Sequence, residues 1–266
     1  MEAHELDAML SHDERHWWYR GRRRVLRAEL DRLGLPERAA LLDAGCGSGR
    51  TLVELARFGE VSGIDVSAVA VQAAQRRGFD DVRHGSVEEL PYADESFDVV
   101  TCLDVIEHTP DDVRVLRELL RVTRPGGAAI ITVPAHPALW SNHDVVNQHH
   151  RRYRRADLLG AARAAGYEVA SDTYFNMFPL APAAVVRWVQ NRRPAPPTRS
   201  DLTLTPAFAD RALELPLALE ARLVALGLRV PAGLSLLAVL RRPVLAQEPA
   251  RARPIAASVP RVAAAA

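Results

Sequence analysis

Short apolar segments rich in β-branched residues alternate with amphipathic helical segments between residues 39 and 134. Strands that are separated by helices do not pair as hairpins, because each connection crosses over and returns the next strand in parallel. A parallel sheet covered by helices on both faces buries its strands completely, which accounts for the continuous apolar character of these segments. The pattern therefore predicts a doubly wound α/β domain.

A glycine-rich loop lies where the first predicted strand passes into the first helix. It contains Gly45, Gly47 and Gly49, and glycine allows tight turning and close approach of the backbone to a ligand. The start of the following helix adds free N–H groups. Asp65 ends the next strand about 20 residues later, where a carboxylate can receive ribose hydroxyls. Together these features predict a nucleoside-binding site.

Two residues of the loop argue against a dinucleotide. The dinucleotide fingerprint has Gly or Ala three positions after its second glycine, and Arg50 stands there. Asp43, at the end of the first strand, would repel a pyrophosphate but suits a cationic ligand. The loop therefore disfavours NAD and FAD.

The basic residues exclude further classes, because all 34 of them are arginine. A phosphate-binding P-loop, a Schiff-base enzyme and a short-chain reductase with a Tyr-xxx-Lys pair each need a lysine. Against 33 acidic residues the net charge is +1, so there is no overall positive field for nucleic acid. An NPPY-like motif is also missing, and we expect no nucleic-acid partner.

Residues 38–134 resemble the class I S-adenosylmethionine-dependent methyltransferases, whose first motif is similar to the segment LLDAGCGSG. The resemblance implies a Rossmann-like, seven-stranded sheet with helices on both faces. It also implies S-adenosyl-L-methionine as cofactor and a small-molecule acceptor. Ser86 departs from the Asp that such families often have at this position. The cofactor-binding residues that the resemblance implies are Asp43, Gly45, Cys46, Gly47, Gly49, Asp65, Val66, Ser86, Val87, Leu103 and Asp104.

Histidines near the carboxyl ends of the strands are the candidate catalytic bases, since a hydroxyl or acidic-carbon acceptor needs one. His108 follows the fourth strand, and His143 and His149 lie in an unpatterned loop after the fifth. His143 and the adjacent Asp144 would form a base and its orienter if their side chains converge. Each histidine also has a structural reading, as an anchor of its loop. No HExxH or CxxC spacing is present, so we predict no metal site.

Two arginine clusters, at residues 20–24 and 151–155, flank the predicted entrance. Arginine binds phosphate and carboxylate in a bidentate manner, so the clusters predict an anionic acceptor such as a phosphorylated sugar carrier or lipid. A solvated helix face is the alternative. The aromatic residues beside the first cluster either cap the cleft or pack the leading helix. The substrate-binding candidates are Tyr19, Arg20, Arg151, Arg152 and Tyr153.

The chain divides into five predicted parts. The flanks also resemble a bacterial methyltransferase subgroup associated with glycan, lipid or natural-product biosynthesis. A helical insertion at residues 175–233 is interpreted as a lid, with a homodimer surface or a membrane-contacting patch as alternatives. A non-catalytic cofactor-binding scaffold is the alternative to an enzyme. The parts are a helical cap (1–35), the cofactor-binding core (36–174), a helical insertion (175–233), the last core strand (234–247) and a disordered tail (248–266).

The location of the chain is predicted from three absences. The first fifteen residues lack the apolar region of a secretory signal. No apolar stretch reaches the ~20 residues that span a bilayer. Cys46 and Cys102 both fall in predicted interior segments, which is typical of a reduced protein without disulfides. We therefore expect a cytoplasmic protein.

Overall fold

The computed structural model describes residues 16–192 and 207–244. These residues form a sheet of seven strands with helices on both faces. The strands are β1 (Ala39–Ala44), β2 (Gly59–Asp65), β3 (Val82–His84), β4 (Phe97–Leu103), β5 (Thr123–Pro134), β6 (Glu168–Phe175) and β7 (Ser235–Arg241). Their order across the sheet is β3-β2-β1-β4-β5-β7-β6.

Eight α-helices lie in the described ranges. They are α1 (Trp17–Arg32), α2 (Arg50–Leu55), α3 (Ala68–Arg76), α4 (Asp112–Val122), α5 (Asn142–Val146), α6 (Arg155–Ala165), α7 (Leu180–Arg192) and α8 (Ala207–Ala225). Short 3₁₀ turns cover Ile106–His108 and Pro137–Leu139. No helix in these ranges has both the length and the apolar character needed to cross a bilayer.

The sheet is parallel from β3 to β5, whereas β7 runs antiparallel between β5 and β6. This confirms the predicted Rossmann-like α/β fold with seven strands. Separate apolar clusters cover the two faces: one includes Leu116 and Leu158, the other Leu26 and Val224. Because the parallel strands share one direction, their carboxyl ends meet along one edge, where open α/β sheets bind ligands.

Helix α1 packs against α8, although the two helices are nearly 200 residues apart in sequence. A Cβ at Gly21 would lie 2.4 Å from Leu217 Cδ1, so glycine permits this close approach. Glu220 joins α8 to the end of β6 by accepting hydrogen bonds from the N–H groups of Asn176 (2.6 Å) and Met177 (2.9 Å). The segments before the core and before the last strand therefore form one layer.

Several predicted segments differ from the structure or lie outside it. Strand β5 begins at Thr123, before the Arg-Pro-Gly-Gly segment at 124–127, and its pairing with β4 shifts register there: Phe97 pairs with Thr123, and Val99 with Ala128. The unpatterned loop after β5 contains helix α5. The first 15 residues of the predicted cap, residues 193–206 of the insertion and the predicted tail lie outside the described residues. The five-part division stays a prediction.

Candidate cofactor and acceptor site

A cavity of about 930 Å³ opens at the carboxyl edge of the sheet. Its floor consists of the loops after β1, β2, β4 and β5, and its roof comes from α1 and α7. The volume lies within the range of small-molecule and cofactor sites. The single cavity thus brings the glycine loop and the histidine loop to one place.

The glycine loop folds tightly because three of its residues have left-handed backbone angles. Gly45, Gly47 and Gly49 have φ values of 87°, 52° and 78°. A Cβ at Gly45 would lie 2.3 Å from Val105 Cγ2. The loop returns to β2 through the N–H groups of Gly45 and Cys46, both of which donate to the Ile64 carbonyl. The cavity wall includes Gly45, Cys46 and Gly47, whereas Gly49 lies behind it as the N-cap of α2.

Asp65 lies at the end of β2 and lines the cavity. Its Oδ2 accepts a hydrogen bond from Gly47 N–H and its Oδ1 one from Ser67 N–H, each at 2.8 Å. Burial raises the pKa of Asp65, and these two N–H groups oppose the rise. The carboxylate is therefore held rigidly against the glycine loop.

The neighbouring wall carries Val66, Ser86 and Val87. Val87 is buried, whereas Val66 is 75% exposed and so presents an apolar surface. The Ser86 hydroxyl accepts a hydrogen bond from Glu88 N–H. Glu88 also lines this part of the cavity and was not predicted from the sequence.

Two further carboxylates lie at the ends of β1 and β4. Asp43 is buried and accepts a hydrogen bond from Thr101 Oγ1 at 2.7 Å. Asp104 follows Leu103 with φ of 57°, and its Oδ2 accepts hydrogen bonds from Arg22 (2.7 Å) and Thr132 (3.0 Å). Asp43, Leu103 and Asp104 all line the cavity.

The opposite end of the cavity contains the three histidines predicted as catalytic: His108, His143 and His149. His149 Nδ1 lies 2.9 Å from Asp144 Oδ1, so this nitrogen carries the hydrogen and Nε2 keeps its lone pair. His143, the expected partner of Asp144, has its ring beside Asn147 Nδ2 at 3.3 Å. The buried Asp144 carboxylate is therefore hydrogen-bonded to His149 and not to His143.

Asp144 is fixed from several sides. Arg152 Nε donates to its Oδ1 at 2.7 Å, and Ser141 N–H donates to its Oδ2 at 2.8 Å as part of a capping box at α5. Burial alone would raise the pKa of Asp144, but the hydrogen bond from His149 and the charge of Arg152 hold it well below its usual range. Asp144 is thus a permanent negative charge behind the His149 ring.

His108 ends the 3₁₀ turn after β4, with its ring centroid 4.6 Å from that of His149. Burial, together with His149, lowers the pKa of His108 to about 3. A side chain with so low a pKa is a weak proton acceptor at neutral pH. Glu107, which precedes His108 in the same turn, is fully buried; burial and the nearby Asp104 raise its pKa.

Comparisons with known proteins decide the family. The methyltransferase domain model of the type 11 group matches residues 42–131, which carry the glycine loop, Asp65 and β4. Over residues 42–131 the chain therefore carries a methyltransferase domain. The resemblance noted in its motifs is thereby confirmed.

Individual relatives of the methyltransferase domain agree with this assignment. A probable S-adenosylmethionine-dependent methyltransferase of Mycolicibacterium smegmatis is 34% identical over 165 residues, 59% of this chain and 61% of that protein. A ubiquinone biosynthesis O-methyltransferase of Alkalilimnicola ehrlichii is 40% identical over 107 residues, 38% of this chain and 43% of that protein. The match therefore spans less than two thirds of either relative.

The fold is shared with the solved geranyl diphosphate C-methyltransferase of Streptomyces coelicolor A3(2), determined with S-adenosyl-L-homocysteine. The TM-score is 0.54 at 19% identity, and the match covers 81% of this chain and 78% of that one. At this identity the likeness describes the fold of the methyltransferase domain and not its acceptor.

Of the five residues predicted to bind the acceptor of the methyltransferase domain, Tyr19 and Arg152 line the cavity. The other three are not part of this cavity's lining and make contacts within the protein, so their role toward an acceptor stays a prediction. Arg20 pairs with Glu214 at 2.9 Å. Arg151 pairs with Asp112, to which buried Tyr153 also donates its hydroxyl at 2.8 Å.

The end of the cavity that contains the three histidines also has lining residues that the sequence did not single out. Phe178, Pro182 and Val186 bring apolar side chains to the roof, and Arg187 joins them from α7. Their segment follows β6, and only its apolar composition hinted at a lid. Glu107 was also missed, because one buried carboxylate after a strand carries no recognisable spacing.

Proposed function

We propose that this chain binds S-adenosyl-L-methionine and transfers its methyl group to a small-molecule acceptor. The observation that carries the proposal is the single cavity, with Asp65 and the glycine loop at one end and the His149–Asp144 pair at the other. When bound, the cofactor supplies an electrophilic methyl group on a sulfonium, and transfer is an in-line displacement. Alignment in an enclosed site is the main requirement of that reaction.

The residues of the cavity fit this cofactor. Asp65 offers carboxylate oxygens for ribose hydroxyls at the end of β2. Asp43 and Asp104 place negative charge beside the glycine loop, which suits the positively charged sulfonium and ammonium groups. The exposed face of Val66 offers an apolar surface for a base.

The acceptor is proposed to be a hydroxylated molecule with a largely apolar body, of lipid or natural-product type. Phe178, Pro182 and Val186 make the roof over the acceptor end apolar. The relative from Alkalilimnicola ehrlichii is named as an O-methyltransferase of ubiquinone biosynthesis, which supports oxygen as the acceptor atom. An anionic group on the acceptor would find Arg50 and Arg187 in the cavity wall.

His149 is proposed to take the proton of the acceptor hydroxyl. Its Nδ1–H is held by Asp144, so Nε2 is the available base and the imidazolium that forms is stabilised. The O–CH₃ bond forms as the S–CH₃ bond breaks, and the proton of the hydroxyl passes to Nε2. His108, with its lowered pKa, has no such part in this proposal.

Calorimetric titration with S-adenosyl-L-methionine, S-adenosyl-L-homocysteine and NAD tests the cofactor. We expect the first two to bind and NAD to fail. Asp65→Ala should weaken binding about tenfold to hundredfold, as expected for lost hydrogen bonds to a charged group, whereas Glu60→Ala, at an 80% exposed side chain, should not. A preference for NAD, or equal affinity in the Asp65 variant, would overturn the assignment.

Turnover distinguishes an enzyme from a non-catalytic cofactor-binding scaffold. Release of S-adenosyl-L-homocysteine is measured with catechol-type acceptors carrying apolar chains, and with phosphorylated sugars. We expect turnover with the former. Tight cofactor binding without turnover on either panel would favour the scaffold.

The lid also remains the candidate surface for a homodimer or a membrane contact. Val185, Trp188 and Val189 of α7 are exposed apolar side chains. Sedimentation at increasing protein concentration, with and without lipid vesicles, tests both.

A further inference from the structure

Glu107, His108 and His149 form a compact group at the acceptor end of the cavity. Glu107 and His108 come from the 3₁₀ turn after β4, and His149 comes from the loop after α5. One possible ligand atom from each lies within 4.8 Å of the others. A hydrogen bond of 2.7 Å from His150 N–H to the Glu107 carbonyl joins the two segments.

Glu107 is the unusual member of this group. The residue is fully buried, and its carboxylate oxygens make no hydrogen bond to another residue in the described part of the chain. A buried carboxylate without partners is costly unless a proton or a cation accompanies it. Its two carboxylate oxygens therefore point to a ligand that the protein itself does not supply.

The two histidines are prepared as neutral ligands. The Nδ1–H of His149 is held by Asp144, and the His108 ring is hydrogen-bonded to the backbone of Asn147. In each ring the other nitrogen keeps its lone pair. A carboxylate that orients a histidine from behind is the usual outer shell of a metal-ligating histidine.

We infer that Glu107, His108 and His149 bind a divalent cation of the Zn²⁺ or Mn²⁺ class. Two imidazoles and one carboxylate are the donor set of catalytic sites that leave a coordination position open. Donor atoms around a tetrahedral Zn²⁺ lie about 3.4 Å apart at metal–ligand distances near 2.1 Å, so side-chain adjustments on the order of 1 Å close the group. All three residues line the cavity, so an open coordination position would face the space proposed for the acceptor.

The cation would have a role in the reaction at the acceptor end of the cavity. That role rests on the proposed function, whereas binding of the cation does not rest on it. It would hold the acceptor hydroxyl and lower the pKa of that hydroxyl. The hydroxyl proton then leaves to solvent, the O–CH₃ bond forms and the S–CH₃ bond breaks. In this arrangement His149 acts as a ligand in place of a base.

The test is calorimetric titration of the full chain, tag-free and treated with a chelator, with ZnCl₂, MnCl₂ and MgCl₂ in the absence of cofactor and acceptor. We expect one equivalent of Zn²⁺ or Mn²⁺ to bind, at least tenfold tighter than Mg²⁺. Co²⁺ should give visible absorption bands that report nitrogen and oxygen ligands. His149→Gln and Glu107→Gln should each weaken binding at least tenfold.

His143→Gln is the matched control, because His143 lies in the same loop and lines the same cavity but lies outside the group. Circular dichroism verifies that each variant is folded. If a variant does not fold, the Co²⁺ spectrum of the wild-type chain still tests whether nitrogen and oxygen ligands bind the cation. Absence of stoichiometric binding to the wild type, or unchanged binding in folded His149→Gln and Glu107→Gln, would overturn the inference. Titration with S-adenosyl-L-methionine separates the two proposals, since cofactor binding without metal binding rejects only the cation.

Discussion

Arg22 Nη1 lies 2.7 Å from Asp104 Oδ2, a residue 82 positions further along the chain. The same nitrogen also donates to the Leu103 carbonyl at 3.3 Å, and the guanidinium lies 5.0 Å from the Trp18 ring centroid. Helix α1 is thereby fastened to the end of β4, directly over the proposed methionine end of the cavity.

Replacing Arg22 with Met should loosen this attachment. We expect S-adenosyl-L-homocysteine to dissociate about tenfold faster, because a hydrogen bond between charged groups contributes about 1.5–3 kcal/mol. Stopped-flow displacement measures the rate. Arg24→Met, at a side chain that is 43% exposed, should leave it unchanged. Equal rates in both variants would show that α1 does not retain the cofactor.

Gly45→Ala should weaken both folding and cofactor binding. The φ of 87° and the 2.3 Å approach to Val105 Cγ2 leave no room for a methyl group. A left-handed angle at a residue other than glycine costs about 1–3 kcal/mol, before any displacement of Val105. Gly160→Ala is the control, since a Cβ there meets nothing within 4 Å on α6 and should stabilise by about 0.4–1 kcal/mol. Chemical denaturation compares the two variants.

His149→Gln should reduce kcat by about a hundredfold or more, the usual contribution of a general base, without changing cofactor affinity. His143→Gln should have a small effect, because its ring faces Asn147. Steady-state kinetics with an accepted substrate and cofactor titration give the two quantities. A larger loss in the His143 variant would restore the original pairing of His143 with Asp144.

Arg152→Met should destabilise the fold by about 3–5 kcal/mol, because it leaves the buried Asp144 carboxylate without its cation. Urea denaturation measures the loss. Arg163→Met, an exposed arginine on α6, provides the comparison and should shift stability by less than about 0.5 kcal/mol. Similar losses in both variants would mean that the buried pair contributes nothing specific.

Glu118 should make stability depend on acid pH. Hydrogen bonds from Arg121 lower its pKa, against some burial. Because the folded-state pKa is below the unfolded value, the stabilisation is complete above about pH 4.3 and disappears as the pH falls through the folded-state pKa. Glu118→Gln should cost about 1 kcal/mol at pH 7 and less at pH 2. A constant difference at both pH values would contradict this account.

The part of the cavity that is proposed to bind the cofactor was predictable because its arrangement depends on local sequence. A parallel strand that ends in a glycine turn, followed by a strand that ends in an acid, brings Gly47 and Asp65 together whatever the rest of the chain does. The register of β1 against β2 places the ends of the two strands side by side, so Gly47 and Asp65 come close together.

The acceptor half was less predictable because it depends on how a loop folds back. Asp144 caps α5, and the chain then turns so that His149 reaches it, although His143 is its sequence neighbour. Glu107 lies close to His149 although the two residues are 42 positions apart in the sequence. The clustering of arginines in the sequence likewise could not show that Arg151 forms an ion pair with Asp112 whereas Arg152 lines the cavity.

The contact between Gly21 and Leu217 has a consequence for how such a chain can be altered. The roof of the cavity is assembled from segments that precede and follow residues 39–134, while those residues hold the glycine loop and Asp65. A transplant of both flanking segments from a relative, made as a matched pair, would therefore exchange acceptor choice and leave the donor half intact. A transplant of either segment alone would mismatch the helix contact and should fail to fold properly.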